Sequence, residues 1–430
     1  MGHRYLVVVP CALLVACASP KSTEPGPGVG GSGAPSSSGH AGTTGTTGAA
    51  GSSGAGAGFG TGGPFAFPQN KASGMCKLTT VANAASATMA AYNSWKSTYV
   101  TSSGAPSGAL RVVNPQTVVC DNNVSVTSGT VSEGMGYGML AAVYMNDQPT
   151  FDKLLAYVNA HLDAKGLMNW CLDGGGTVKG AYSATDGDED MIWALLMASD
   201  QWSSTAYLTT AKTMIDVMKN YSLFSDGTLQ NGDNWNTSDN MHTDYFSPAY
   251  YRVFGKATND IFWSQYVVDA NYAHLAAVSG NDGLVPDASN LEDSLQTSAS
   301  CPLCVPNYGY DACRMPWRIA MDYCFNNEPR ALTYLQKIGG FFNTSVSGNA
   351  ASIGDGYSQS GSKTSGNTNM AFIGPVGVAG MAGWPMLVDS AFNFGVSNPG
   401  NANDAYFPQS LRVVTMLMMS GNFLDYTKQQ

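Results

Sequence analysis

Three acidic residues each stand just ahead of an apolar run: Glu133 in "VSEGMGYGML", Asp186 in "SATDGDEDMIWALLMA" and Asp311 in "NYGYDACRMPWRIAMDY". Carboxyl groups gathered at one place can move protons, one as donor and another as acceptor, if their surroundings push their pKa values apart. Each position also has a plainer use. An acid near a helix N-terminus is favoured by the free N–H groups and the helix dipole, and for each residue singly such capping is the more economical explanation. All three nevertheless mark helix entrances, with Pro316 reading as a first-turn proline after Asp311. They are therefore expected at the same end of a helical array.

Other chemistries find less support. Of five histidines, His3 and His40 precede the folded region, and His161, His242 and His274 are scattered. No HExxH pattern occurs, which disfavours a zinc hydrolase, and no GxSxG provides a serine nucleophile elbow. Gly134, Gly136 and Gly138 space as GxGxG without the third glycine of a dinucleotide-binding turn. The alternating acids of "DGDED" lack the sixth-position Gly and twelfth-position Glu of an EF-hand, which are Met191 and Met197 here. No metal or cofactor is expected.

The elements that must carry these residues are helices. Apolar residues recur at i, i+3, i+4, i+7 in Tyr137/Leu140/Ala141/Tyr144, Met191/Ala194/Leu195/Ala198, Ala211/Met214/Ile215/Met218, Trp263/Tyr266/Val267/Ala270 and Ala331/Tyr334/Leu335/Ile338. Further helices are expected within 78–99, 151–162 and 411–420. Between them run long segments rich in Gly, Asn, Asp and Ser, such as "CLDGGGTVKGAYSATDGDED" and "SDGTLQNGDNWNTSDNMHTDYF". Loops of that length in a compact domain tend to be functional. The pattern predicts an all-α domain and permits, without demanding, a ring of paired helices with a groove at one end.

The chain has 430 residues, but its first part does not read as folded protein. "MGHRYLVVVPCALLVACASP" has a basic tip and a short apolar run, the form of a secretory signal. Leu14-Val15-Ala16-Cys17 resembles the bacterial lipobox, which would make Cys17 a lipidated residue; a plain signal with a chance cysteine is the alternative. Residues 18–63 are almost wholly Gly, Ser, Thr, Ala and Pro and should form a flexible tether. The folded head is expected over 64–430, read as a monomer outside the cytoplasm. Its membrane link would be only the N-terminal lipid, at an outer-membrane or cell-surface address. The net charge of −10, with 12% charged residues and no basic runs, argues against nucleic acid as a partner. Seven cysteines of the head cannot all pair within one chain, and a local disulfide is the better reading of the lone "CPLC" at 301–304 than half a zinc site.

Four segments, "SEGMGYGML", "SATDGDEDMIWALLMA", "YFSPAYYRVF" and "YGYDACRMPWRIA", occur in this order and resemble the signature segments of glycoside hydrolase family 8. One departure is Ile192, where the family usually has Ala; a buried packing change is expected there. The resemblance implies an (α/α)6 barrel with a polysaccharide cleft across one end and hydrolysis with inversion at the anomeric carbon. It implies Glu133 as general acid, Asp311 as general base and Asp186 as an acid that binds and helps distort the sugar at the cleavage point. Tyr245 would lie near the attacking water and Arg314 beside the base, keeping it ionised. Trp170, Trp235 and Tyr310 would stack on sugar rings, whereas Trp193 and Trp202 fall in a helical segment and should be core.

The substrate class this implies is a β-1,4-linked glucan, such as cellulose, carboxymethylcellulose or mixed-linkage glucan, cut internally. The reading prefers glucan because "DACRMPWRIA" looks closest to the endoglucanase form of that motif; xylan and chitosan are the alternatives within the family. A surface lipoprotein that binds glycans without cutting them is the alternative of another class, and the presence of all three acids weighs against it. The glycines of "EGMGYG" are expected to keep bulk away from the cleft.

Overall fold

The computed structural model describes residues 63–235, 241–289, 306–399 and 405–428. The signal, the lipobox Cys17, almost all of the tether and the Cys301/Cys304 pair lie outside them.

Twelve α-helices occur among the described residues: α1 (Ala84–Tyr99), α2 (Ser132–Tyr144), α3 (Gln148–Ala160), α4 (Thr185–Gln201), α5 (Thr205–Tyr221), α6 (Pro248–Thr258), α7 (Val268–Val278), α8 (Met315–Asn326), α9 (Pro329–Ser345), α10 (Met370–Gly380), α11 (Pro385–Ser397) and α12 (Tyr406–Met419). The even-numbered helices pack on one another in sequence, and α12 returns to α2, closing a ring. Around it α3 packs on α2, α5 on α4, α9 on α8, α11 on α10 and α1 on α12, while a π-helical turn at Phe262–Val267 joins α7 to α6. This is the expected (α/α)6 barrel. Each outer helix carries the chain back, so the inner helices run in parallel and present their N-termini at one end.

Burial separates the two layers. In α2 and α4 nearly every residue is enclosed, Asp186, Asp188, Glu189 and Asp190 included. In α5 only Tyr207, Ala211, Met214, Ile215 and Met218 are, a single stripe facing inward. Ile192, the family departure, is fully buried as expected. Trp193 is likewise core.

Several boundaries and elements differ from the sequence reading. The first helix begins at Ala84, because Asn83 adopts a left-handed φ of 59° in the turn before it. Helix α3 begins at Gln148, capped by Asp147, whose carboxylate accepts the Thr150 N–H. Tyr266, assigned to an apolar face, is 58% exposed, since the π-helical turn shifts the register of that face. Helices α6, α10 and α11 were not expected; α10 carries Pro375 and three glycines, which mask its helical period.

A small antiparallel sheet was not expected either. After a two-residue hairpin of β1 (Val100–Thr101) and β2 (Arg111–Val112), strands β3 (Asn114–Val119), β4 (Ser125–Val131), β5 (Cys171–Leu172) and β6 (Val178–Gly180) pair in that order. Strand β4 runs directly into α2, so the sheet stands over the ring's N-terminal end. The Cys120–Cys171 disulfide joins the β3–β4 turn to β5. A second disulfide, Cys76–Cys324, fastens the segment before α1 to the end of α8, and Cys313 is free and buried.

The glycines of α2 do not face the cleft, contrary to the sequence reading. A Cβ on Gly136 would stand 2.8 Å from the Asp190 Cβ and 3.2 Å from the Gly187 carbonyl oxygen, so this glycine sets how closely α2 and α4 approach. Gly138 similarly faces Val112, Leu154 and Trp95. Their role is packing between elements.

Candidate active site

The N-terminal ends of α2 and α4 and the turn before α8 bring Glu133, Asp186 and Asp311 to one place, as expected. They line an open cleft of about 820 Å³. One side is the sheet, through Asn114, Gln116 and Val118; the other is formed by Tyr310, Tyr406 and Phe407. Trp170, Trp235, Tyr245 and Arg314 complete the lining, so every acid, arginine and aromatic residue expected at the cleft reaches it.

Arg314 is the hub. It sits in a short 3₁₀ turn, Ala312–Arg314, that leads into α8, and its side chain is 2% exposed. Nη1 lies 2.7 Å from Glu133 Oε2 and 2.6 Å from Asp186 Oδ2. Nη2 lies 2.5 Å from Asp244 Oδ2 and 3.4 Å from Asp311 Oδ1. One guanidinium thus serves four carboxylates, two on each terminal nitrogen, which the planar fork of arginine allows and a lysine would not. Its position beside Tyr245 and Phe407, 5.3 and 5.7 Å from the ring centres, adds cation–π contact.

Arg314 does stand beside Asp311 and opposes the rise in its pKa, but it is not confined to the base. It touches Glu133 more closely than Asp311, at 2.7 against 3.4 Å. Burial is the largest influence on Glu133 and pushes its carboxyl up to about 8; Arg314 and the hydroxyl of Tyr406 pull it down, and Asp186 and Asp311 push it up. Tyr406 Oη donates to Glu133 Oε1. For Asp311 too burial dominates and the carboxyl is raised; His242 opposes this ahead of Arg314, and Asp244 reinforces it. The Asp311 side chain keeps 35% of its surface open, toward the cleft, whereas Glu133 keeps 18%. The larger counterweight to the rise at Asp311 is therefore His242, although Arg314 stands closer. The Asp186 Oδ1 accepts the Gly187 N–H at 2.8 Å, which leaves its other oxygen to Arg314.

Three residues the sequence reading passed over complete the charge pattern. Asp244 is fully buried. His242, taken as one of three scattered histidines, places Nδ1 3.7 Å from Asp244 and 3.8 Å from Asp311 and stacks on Tyr245 with ring centres 5.1 Å apart. Burial pulls the imidazole down, but Asp311 and Asp244 outweigh it and carry it to about 9. Asp287 holds the turn itself: its Oδ1 accepts the N–H groups of Gly309, Asp311 and Ala312 at 3.0, 3.2 and 2.9 Å. The signal for His242 and Asp244 was present, since "HTDY" abuts the "YFSPAYY" segment.

The aromatic residues divide. Trp170 was expected to project from a polar loop, but it is 4% exposed and belongs to a small second core with Val118, Cys120, Val126, Cys171 and Ala184. Its indole lies against Gly180, where a Cβ would come within 2.3 Å of the ring, and its Nε1 donates to Asp121 at 3.2 Å. Only part of the ring meets the cleft. Trp235 stands edge-on to it at 6.0 Å and is more open. Tyr310 is fixed by donating to Asp355 at 2.7 Å and accepting from Asn369 at 2.9 Å, with Phe372 edge-on at 5.0 Å. Rigid rings along an acidic cleft suit the faces of a polyhydroxylated chain.

Comparison with known proteins agrees with this geometry. The family model described as "Glycosyl hydrolases family 8" matches residues 65–421. Endoglucanase A of Acetivibrio thermocellus is 36% identical over 346 residues, covering 78% of this chain and 69% of that protein. The Beta-glucanase of Niallia circulans is 33% identical over 389 residues, covering 84% and 91% respectively. The apo structure of Beta-1,3-1,4-glucanase from Paenibacillus sp. X4 superposes with a TM-score of 0.74 at 30% identity, over 84% of this chain and 99% of that one.

Proposed function

The chain belongs to glycosyl hydrolases family 8 and is a glycoside hydrolase, and from that premise we propose that it cuts β-1,4-linked glucan internally, with inversion at the anomeric carbon. The observation that carries the reading is the arrangement of Glu133 and Asp311 on opposite nitrogens of Arg314 at the floor of a cleft.

In the reaction, Glu133, the more enclosed of the two and protonated up to about pH 8, donates to the glycosidic oxygen as its bond to the anomeric carbon breaks. Asp311, open to the cleft, takes a proton from a water whose oxygen bonds to that carbon from the opposite face. The cycle ends with Glu133 ionised and Asp311 protonated, and exchange with solvent resets both. Asp186 holds the sugar at the cleavage point, Tyr245 stands near the water, and Trp170, Trp235 and Tyr310 support flanking sugars. The names of the relatives, endoglucanase and beta-glucanase, favour glucan over xylan or chitosan.

We further read residues 1–17 as a lipoprotein signal with Cys17 as the lipidated residue, 18–63 as a tether and 64–430 as the catalytic head. The short apolar run and the low-complexity composition support this reading, which places the enzyme at a bacterial outer surface.

The test is to incubate the head with carboxymethylcellulose, lichenan, xylan and chitosan, following reducing ends and anomeric configuration by NMR. Cleavage of the glucans with inverted configuration is expected. Retained configuration would remove the acid and base roles, and no cleavage of any substrate would remove the enzyme's proposed specificity.

A further inference from the structure

We infer that His242 is a positioning residue of this reaction: its ring, set between Asp244 and Asp311, is the second cation of the site and holds Asp311 in the ionised form that water activation requires. The inference rests on the reading of Asp311 as base.

Geometry carries it. Asp244 and Asp311 alternate with two cations, since each carboxylate faces Arg314 Nη2 through one oxygen and His242 Nδ1 through the other. The other two carboxylates around Arg314, Glu133 and Asp186, occupy Nη1. Four acids on one guanidinium leave a surplus of negative charge, and His242 is the neutralising group on the base side. Its ring is 7% exposed and held parallel to Tyr245 within 18°. Its backbone N–H donates to Asn231 at 3.0 Å, fixing the segment. Nδ1 is buried without a hydrogen-bond partner at 3.7 and 3.8 Å from its two acids, so the contact is ionic in the free enzyme and has room to tighten when substrate fills the cleft.

The groups bearing on His242 are Asp244 in its own turn, Asp311 and Arg314 from the turn before α8, and Tyr245 beneath the ring. Its two acids also bear on Asp287 in the loop before Tyr308, and Asp186 acts on Asp311 from α4. The acids outweigh Arg314, which agrees with an imidazole that stays charged through neutral pH.

The sign follows. A cation beside Asp311 lowers its pKa, so removing it leaves the base protonated to a higher pH. In His242→Gln the acidic limb of kcat/KM on carboxymethylcellulose should move up by about one pH unit, a roughly tenfold loss below the limb with a much smaller loss on the plateau. A merely structural histidine would lower activity by one factor at every pH, and that outcome would overturn the inference. Should the variant not fold, the coupling is read in reverse. NMR titration of labelled histidine in the wild type should show a ring charged above neutrality, and Asp311→Asn should lower its midpoint by about one unit, since linkage is reciprocal. A histidine that titrates normally, or is unmoved by Asp311→Asn, also overturns it. The NMR result needs no turnover. A wild type that cuts no glucan would therefore count against the proposed function, whereas an unmoved limb in an active enzyme counts against His242.

Discussion

Arg314 stands 2.7 Å from Glu133, the proposed proton donor, and farther, at 3.4 Å, from Asp311, the proposed base. A cation that touches the donor works against the donor's high pKa, yet burial wins and leaves the carboxyl protonated to about 8. The function of Arg314 is therefore to hold four acids in one frame more than to tune any of them. Arg314→Lys loses the fork and can serve only one side. Turnover should fall at least 100-fold. Arg314→Ala should in addition lower stability by about 3 to 5 kcal/mol, because buried carboxylates lose their partner. Denaturant melts and kcat check both, and a stable, active Arg314→Lys would refute the framing role.

The donor predicts an alkaline limit. As pH passes about 8 Glu133 loses its proton, and cleavage of soluble glucan should decline. Glu133→Gln should fold, cleave 10² to 10⁴-fold more slowly and lose that limb. An alkaline limb of unchanged position in Glu133→Gln would assign it to another group.

Away from the cleft, Glu189 makes a stability prediction. Burial above all raises its carboxyl to about 8, although Tyr251 Oη donates to it at 2.6 Å. Its folded pKa lies above the unfolded value, so the folded state binds one more proton through the window from about 4.5 to 8. The contribution is fully present below that window and lost as pH rises through it. Glu189→Gln should flatten the fall in unfolding free energy across these pH values by up to one proton's worth, about 1.4 kcal/mol per pH unit. Urea melts at a series of pH values test this, and parallel curves for the two proteins would contradict it.

Gly136 separates packing from catalysis. The methyl of Gly136→Ala would press on Asp190 and Gly187, so a loss of about 1 to 3 kcal/mol is expected with KM little changed in the folded fraction. An unaltered melting temperature accompanied by a large rise in KM would instead restore the view that this glycine clears the cleft.

What the sequence made legible follows from how local each feature is. Glu133, Asp186 and Asp311 announced themselves because each opens a helix, and the helix type is written in the neighbouring residues. The alternation of inner and outer helices was harder to read: α2 and α10 are buried all round and punctuated by glycine, so no polar face marks them as inner helices or outer ones. His242, Asp244 and Asp287 were missed because nothing local marks them. They matter only once a loop folds back on the turn before α8, and that is decided by contacts over 24 residues or more, as between Asp287 and Asp311. The burial of Trp170 was not legible because the strands that follow it, β5 and β6, are two and three residues long and β5 is held by a disulfide whose pairing the spacing leaves open.

The ring's closure sets an order of assembly. Helix α12 comes last in the chain, yet it is the neighbour of α2, and its first residue, Tyr406, both covers Gly134 and donates to Glu133. The strap before α1 lies on the end of α12 and the turn after it, with the Lys71 N–H on the Gly421 carbonyl and the Thr79 N–H on that of Met419. A chain emerging from its N-terminus can pair its early helices but cannot finish the bed of its own proton donor. The surroundings that keep Glu133 protonated are completed by the final helix, so this molecule gains its chemistry only when the whole circle is shut.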